Sequence, residues 1–345
     1  MNADFLISQP KTDPTEIFRL RDGLYAVDLM AAALTGLDFF SWLAKNPADL
    51  PDICRGLEIK ERPTDVMLTL FAALGLVQKQ NGAFHLTDLA REFLVADSAW
   101  HLGPYYGAMK ERPVCKDMLT VLRTGKPANW GSFKNEKEWA KAMEKEPFAR
   151  QFTAAMDCRG AYLGPAMAKR VDLGGVRRLL DIAGGSGVYA CALAAAHPQI
   201  NATVLEKPPV DGIALEAIKR RGFADKVSVA IGDMFADPFP DGYGAHLFSN
   251  VLHDWDEPLV RKLLEKSFTF LAPGGLLIIH DAHINADKTG PLAVAAYSAL
   301  LMNISEGKCY SITEMNGYLE ETGFIEFNYC ATAADRSVIT ARKPE

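Results

Sequence analysis

From Val176 onward, short apolar runs alternate with helical stretches, and the first run ends in a turn made almost entirely of glycine. Arg178-Leu179-Leu180-Asp181-Ile182 reads as a strand, Gly184-Gly185-Ser186-Gly187 as the turn, and Ala190 to Ala196 as a helix. Ala202–Leu205, Val227–Ala230, Ala245–Phe248 and Leu276–Ile279 read as further strands. Parallel neighbours need crossover helices, so strands alternating with helices predict a mostly parallel sheet covered on both faces. Residues 171–345 are therefore expected to form an α/β, Rossmann-like domain. Its ligand should lie outside the carboxyl ends of the strands.

The front of the chain follows a different pattern. Phe18 to Leu43 is rich in Leu, Ala and aromatic residues at helical spacing, with Gly36 as a break. Thr64-Asp65 opens a second helical run that Gly75 is suited to close. Two β-like runs flank Asn81-Gly82, a hairpin signal, and Thr87-Asp88 caps a further short helix. Helices plus a hairpin predict a winged-helix-like module over residues 1–110. Residues 111–170, helical in character from Trp139 to Met167, read as a linker offering Phe148, Phe152, Met156 and Tyr162 for apolar contacts.

Charge narrows the partners. The chain has 37 Lys and Arg against 43 Asp and Glu, a net charge of −6. Its first hundred residues carry nine basic and fourteen acidic side chains. Phosphate neutralisation needs the opposite balance, so neither nucleic acid nor an anionic membrane is expected as a partner. No apolar run reaches the ~20 residues of a membrane span. The leading MNADFLISQPKTDPTE has neither the basic nor the apolar region of a signal peptide. The six cysteines show no metal-ligand spacing, and reduced thiols in a cytoplasmic protein are expected.

The glycine turn, Asp181-Ile182-Ala183-Gly184-Gly185-Ser186-Gly187, lets a ligand approach the backbone closely. It matches neither the dinucleotide G-x-G-x-x-G pattern nor a phosphate loop with its lysine, which argues against NAD or ATP hydrolysis. Glu206 ends the second strand near the ~20-residue offset at which an acidic side chain grips a ribose diol. Gly232-Asp233-Met234-Phe235 follows the third strand, where Asp233 suits an adenine amino group and Met234 its ring. His253, in Asn250-Val251-Leu252-His253-Asp254-Trp255-Asp256, follows the fourth strand and titrates near neutrality, as a general base must. His280, Asp281 and His283 are close in sequence, but adjacent strand residues face opposite ways, so no metal is expected.

Taken together, LLDIAGGSGVYACALAAAHPQINATVLEKPPV, GDMF, NVLHDWDEP and LAPGGLLIIHDAHI closely resemble the class I S-adenosylmethionine-dependent methyltransferases. More narrowly, the chain resembles the plant and bacterial small-molecule O-methyltransferases of the acetylserotonin and caffeate O-methyltransferase type. That resemblance covers nearly the whole chain and implies a homodimer formed through the front module. It implies S-adenosylmethionine as cofactor, with S-adenosylhomocysteine as product. Asp181, Gly184, Gly185 and Gly187 would hold the methionine part, Glu206 the ribose, and Asp233, Met234 and Phe235 the adenine. Ser249 falls where plant members carry a cofactor-contacting lysine. His253 would be the base, flanked by Asp254 and by Asp281 at the end of the fifth strand. Phe152, Met156, Trp255, Tyr297, Met302, Asn303 and Cys309 would line the acceptor pocket, with Tyr105, Tyr106 and Trp130 as weaker candidates.

One departure stands out. The family's second acidic partner of the base falls at Cys309, in Glu306-Gly307-Lys308-Cys309-Tyr310-Ser311, and only a re-aimed Glu306 could replace it. Methyl transfer to a small-molecule hydroxyl is the expected activity. S-methylation of a thiol or thioether, and a non-methylating homologue that binds S-adenosylmethionine, are the alternatives.

Overall fold

The computed structural model describes residues 6, 10–128 and 141–345. They fall into two compact units: Met1–Glu16, Lys137–His283 and Ile312–Glu345 form one, Ile17–Glu136 and Ile284–Ser311 the other. These units do not follow the three consecutive segments read along the sequence. Helix Leu292–Ile304, a late segment, packs on the front helices Ala26–Gly36 and Glu61–Ala73.

In the helical unit, local chemistry sets the boundaries. Asp49 caps helix Leu50–Leu57 by accepting from the Asp52 amide. Helix Glu61–Ala73 begins before the expected Thr64-Asp65; the Thr64 hydroxyl does not cap it but donates back to the Lys60 carbonyl at 2.7 Å. The helix ends in a Schellman turn: Gly75, at φ +69°, donates to Ala72 O, and Leu76 donates to Phe71 O. Strands β1 (Val77–Gln80) and β2 (Ala83–Leu86) meet at Asn81 and Gly82, both with positive φ, as a two-residue hairpin turn requires. Thr87 then caps helix Asp88–Leu94. Phe39, Phe40 and Phe71 pack their rings 5.1–5.6 Å apart at the centre of the unit.

The other unit holds a seven-stranded sheet: β3 (Arg178–Ile182), β4 (Asn201–Glu206), β5 (Val227–Ile231), β6 (Ala245–Ser249), β7 (Leu276–Asp281), β8 (Ile325–Ala331) and β9 (Ser337–Arg342). The spatial order is β5-β4-β3-β6-β7-β9-β8. β3 to β7 are parallel, and β9 runs antiparallel to both β7 and β8. The order reverses at β3, so the carboxyl ends of β3 and β6 flank the switch point, where an open α/β sheet has its crevice. The sequence reading did not anticipate β8 and β9. β8 is an exposed edge strand, so it lacks a buried apolar run.

Helix Glu146–Ala168 packs against helix Val188–Ala196, and glycine makes the close approach possible. A Cβ at Gly160 would lie 2.3 Å from Val188 Cγ1, and one at Gly164 3.2 Å from Ala192 Cβ. The expected helix start at Trp139 lies outside the described residues. Gly160→Ala should therefore separate the two helices and lower stability by about 1–3 kcal/mol, as overpacking does. Thermal unfolding checks this: an unchanged midpoint would mean the helices are not in close contact.

Candidate active site

The glycine turn joins β3 to helix Val188–Ala196 through three left-handed residues, Ala183, Gly185 and Gly187. Alanine tolerates that conformation poorly, and strain of this kind collects at ligand-binding turns. Gly184 has no alternative, because a Cβ there would fall 2.5 Å from the Asp181 carboxyl carbon. Asp181 is fully buried beneath the turn, and neither of its oxygens makes a well-formed hydrogen bond. Burial, with the charge of Glu206, pushes its carboxyl up to about 8, the Ala190 amide offsetting this only in part. Glu206 ends β4 and folds back onto the turn. Its Oε1 accepts from the Gly185 amide at 2.9 Å and its Oε2 from the Lys207 amide at 3.3 Å. Burial raises this carboxyl to about 7 against the pull of those amides.

Asp233 follows β5 in a loop it organises itself. Its Oδ1 accepts from the Phe235 and Ala236 amides, and its Oδ2 from Lys207 Nζ at 2.8 Å. Burial opposes ionisation, but the lysine and the amides outweigh it and hold the carboxyl below its usual range. Lys207 was missed from the sequence; its only signal was its place beside Glu206. The Met234 carbonyl accepts from Lys266 Nζ at 2.8 Å, and Phe235 meets Trp255 edge-on at 4.8 Å.

His253 sits on the short helical turn Leu252–Asp254 after β6, and Asp281 ends the adjacent β7. Parallel pairing of β6 with β7 brings the two together. His253 Nδ1 lies 2.5 Å from Asp281 Oδ1, which also accepts from the Ala282 amide at 2.8 Å. Nε2 lies 3.7 Å from Asp254 Oδ1. Burial disfavours the imidazolium, yet Asp281 and Asp254 outweigh it and raise the histidine above its ordinary value. Burial likewise opposes ionisation of Asp281, but His253 prevails and holds that carboxyl well below the carboxylate range. Asp254 is raised by burial. Arg159, from helix Glu146–Ala168, lies near enough to His253 and Asp254 to lower both. Sequence reasoning gave no sign of it.

Ser249 is drawn into a side-chain network. Its hydroxyl bonds His280 Nδ1 at 2.9 Å and accepts from Asn250 Nδ2, which also donates to the Tyr189 hydroxyl at 3.1 Å. His280 and His283 are buried, and burial holds them neutral at about 3 and about 4. His283 Nδ1 meets Ser337 Oγ at 2.8 Å. Neither is placed to serve as a base at neutral pH. Among the described residues, no group of three or more His, Cys, Asp or Glu side chains could hold a metal ion.

The acceptor candidates divide between the units. Phe152 stacks on Phe148 and packs against Met143, Ala149, Val210 and Ile213, so part of its role is structural. Met156 lies half-buried on the same helix, and Trp255 is buried beside Phe235. In the helical unit, Tyr297, Met302 and Asn303 are buried on Leu292–Ile304, and the Asn303 side-chain amide has no hydrogen-bond partner among the described residues. Cys309 is buried, its amide donating to Ser298 Oγ at 3.0 Å. Arg62 organises that loop by donating to the carbonyls of Met302, Ser305, Gly307 and Gly125. Glu306, the possible substitute for the missing acid, is bound to Lys126 at 2.5 Å. Tyr105 is exposed and meets Tyr106 edge-on, while Trp130 lies outside the described residues.

A buried carboxyl group without a cation or a well-formed hydrogen bond, a turn that a Cβ would fill, and an imidazole–carboxylate pair at one sheet edge fit a cationic nucleoside donor and an acidic hydroxyl. The fold and its relatives are those of the S-adenosylmethionine-dependent methyltransferases. Residues 120–325 match the O-methyltransferase domain, and the chain belongs to that family. It is 31% identical to 3-hydroxy-5-methyl-1-naphthoate 3-O-methyltransferase of Streptomyces sahachiroi, across 91% of this chain and 90% of that enzyme. It is 28% identical to the N,N-dimethyltransferase OxyT of Streptomyces rimosus, across 84% of each. Among solved structures, an O-methyltransferase family 2 protein from Planctomyces limnophilus in complex with apigenin superposes with a TM-score of 0.88 at 32% identity, covering 99% of both chains. The protein is an S-adenosylmethionine-dependent enzyme that methylates the oxygen of a small molecule.

The buried imidazoles also set acid stability. Burial depresses His246 and His280 to about 3 and His283 to about 4, so all three stay neutral when folded. The unfolded chain protonates them near 6.5, so their stabilisation is complete above that pH and is lost as pH falls toward 3. Each pH unit below 6.5 should weaken folding by up to about tenfold per imidazole. Thermal midpoints between pH 7.5 and 5 should fall steeply; a flat profile would contradict these assignments.

Proposed function

We propose that His253 is the general base that takes the acceptor's hydroxyl proton on Nε2 as methyl transfer proceeds, with Asp281 fixing the ring through Nδ1. The supporting observation is the 2.5 Å contact between His253 Nδ1 and Asp281, which fixes the orientation of the ring. When bound, S-adenosylmethionine supplies an electrophilic methyl on its sulfonium and leaves as a neutral thioether. The chain's own part is to orient, to exclude water and to receive one proton. Asp181, Gly184, Gly185 and Gly187 would hold the methionine portion and Glu206 the ribose. Asp233, Met234 and Phe235 would take the adenine, with Lys207 bracing Asp233 and Ser249 acting through His280. Asp254 would share the imidazolium charge.

A phenolic hydroxyl on a flat aromatic acceptor is the reading the relatives favour. One acts on a hydroxynaphthoate, and another is seen with apigenin. A raised histidine lies closer to the ~10 of a phenol than an unshifted one does, which suits proton transfer between them. Phe152, Met156 and Trp255 are apolar enough to hold such a ring; Met302, Asn303 and Cys309 are the candidates on the helical unit. Cys309 in place of an acid leaves Asp281 and Asp254 as the base's anionic partners.

We further propose that the helices and hairpin of residues 1–110 form a winged-helix module used for self-association, that 111–170 link it onward, and that 171–345 hold the chemistry. Ile17, Leu20, Leu24 and Val27 are spaced along two consecutive helices and the turn between them and are 74%, 80%, 55% and 43% exposed, a face suited to a second copy of the chain. The six free cysteines fit a reducing cytoplasm. No single helix among the described residues is long and apolar enough to cross a membrane.

His253→Ala should lower kcat by about 10²–10⁴-fold with phenols while S-adenosylhomocysteine binding is retained. Full turnover would remove the assignment. Because the base must be neutral and His253 is raised above 6.5, kcat/KM should climb with pH through a value above 6.5. That limb should move to lower pH in Asp281→Asn, and a limb that does not move argues against the pair. Light scattering should report a dimer that Leu20→Glu weakens.

A further inference from the structure

We infer that Asp157, Ser186 and Arg221 form a preset latch on the glycine turn, in which Asp157 and Arg221 are positioning residues for the methyl donor. This rests on the reading of that turn as the donor's cradle. Asp157, Gly160 and Gly164 lie at i, i+3 and i+7, hence on one face of helix Glu146–Ala168. The two glycines press that face against helix Val188–Ala196, within reach of Gly160's neighbour Val188. Asp157, about one turn earlier, therefore arrives over Ser186, two residues before that helix begins.

Ser186 is held at two points. Its hydroxyl donates to Asp157 Oδ1, and its carbonyl accepts from Arg221 Nη1 at 3.3 Å. Arg221 Nη2 donates to the same Asp157 oxygen, closing the triangle. Arg221 and Ser186 are each 5% exposed. An ion pair this buried returns little net stability, since desolvation offsets the attraction. What it can supply is geometry, and the geometry it fixes is that of the turn. The preceding residue, Gly185, donates its amide to Glu206. Successive turn residues are thus fixed by different partners, Gly185 by the proposed ribose carboxylate and Ser186 by the Asp157–Arg221 pair.

A turn ordered in advance spares the ligand the entropy of ordering it. The latch contacts only turn atoms, so it should not distinguish donor from by-product. The Kd of S-adenosylhomocysteine and the KM of S-adenosylmethionine should then shift together, while kcat at saturating donor and the acceptor KM stay close to parental.

Calorimetry with S-adenosylhomocysteine, paired with steady-state kinetics, tests this on the full chain. Asp157→Asn should raise both donor constants about tenfold or more, with kcat within about threefold. Ser186→Ala, which leaves the ion pair intact, should give a smaller rise, and Arg221→Lys should restore most of what Arg221→Met loses. A merely structural pair would lower the thermal midpoint and leave the donor constants alone. Parental Kd in both Asp157→Asn and Ser186→Ala overturns the latch, as does a loss confined to kcat. Should Asp157→Asn fail to fold, Ser186→Ala decides alone. If the parent protein does not bind S-adenosylhomocysteine, the reading of the turn falls and the latch with it. If the parent binds and Glu206→Gln weakens binding while the latch variants do not, only the latch is refuted.

Discussion

Carboxylates crowd the ligand-facing edge of the sheet unit, where water is scarce, and the edge is organised by how each is neutralised. Asp281 is paired with an imidazole, Asp233 with Lys207, and Asp157 with a buried guanidinium. Glu206 relies on two backbone amides. Asp181 has neither a cation nor a strong donor, and its carboxyl is pushed up to about 8 as a result. A crevice built this way prefers a ligand that brings positive charge and hydroxyl donors. Where each carboxylate finds its partner also fixes where the ligand's parts can lie.

Parallel pairing is the means of assembly. β3, β4, β6 and β7 each deliver one candidate site residue at or just past the strand's carboxyl end: Asp181 with the glycine turn, Glu206, His253 and Asp281. Residues far apart in the chain meet because adjacent parallel strands end at the same level. The sheet therefore sets the spacing of the site, and the loops only adjust it. The neutral His280, one residue from Asp281, illustrates the sharpness of this. Successive residues on β7 project to opposite faces, so the Asp281 carboxylate meets His253 while its neighbour disappears into the Ser249 network.

Strand-to-turn junctions were the most legible part of the sequence, because an apolar run that ends in glycine or an acid has few other meanings. β3, β4 and the Asn81-Gly82 hairpin fall where pattern and turn chemistry put them. The antiparallel edge was not legible, since β8 is exposed and broken by a register shift between Ile325 and Asn328. Contacts between distant charges were also beyond reach. Lys207 with Asp233, Arg62 with four carbonyls, and Arg221 with Asp157 are ordinary charges in the sequence, and only tertiary packing selects their partners. The Gly160-x-x-x-Gly164 spacing was a usable signal, since paired small residues on one helix face mark a close helix contact.

The helical unit is not continuous in sequence: its helix Leu292–Ile304 lies between β7 and the antiparallel pair β9 and β8. That arrangement has a consequence for biosynthesis. As the chain leaves the ribosome, the front helices emerge early but lack the segment that fills their core. Five parallel strands can assemble before that segment is made. The last helix of the front unit and the last strands of the sheet then arrive within a few dozen residues of each other. Neither body can be finished well ahead of the other, so chain termination before helix Leu292–Ile304 would leave both with apolar surface uncovered and exposed to self-association.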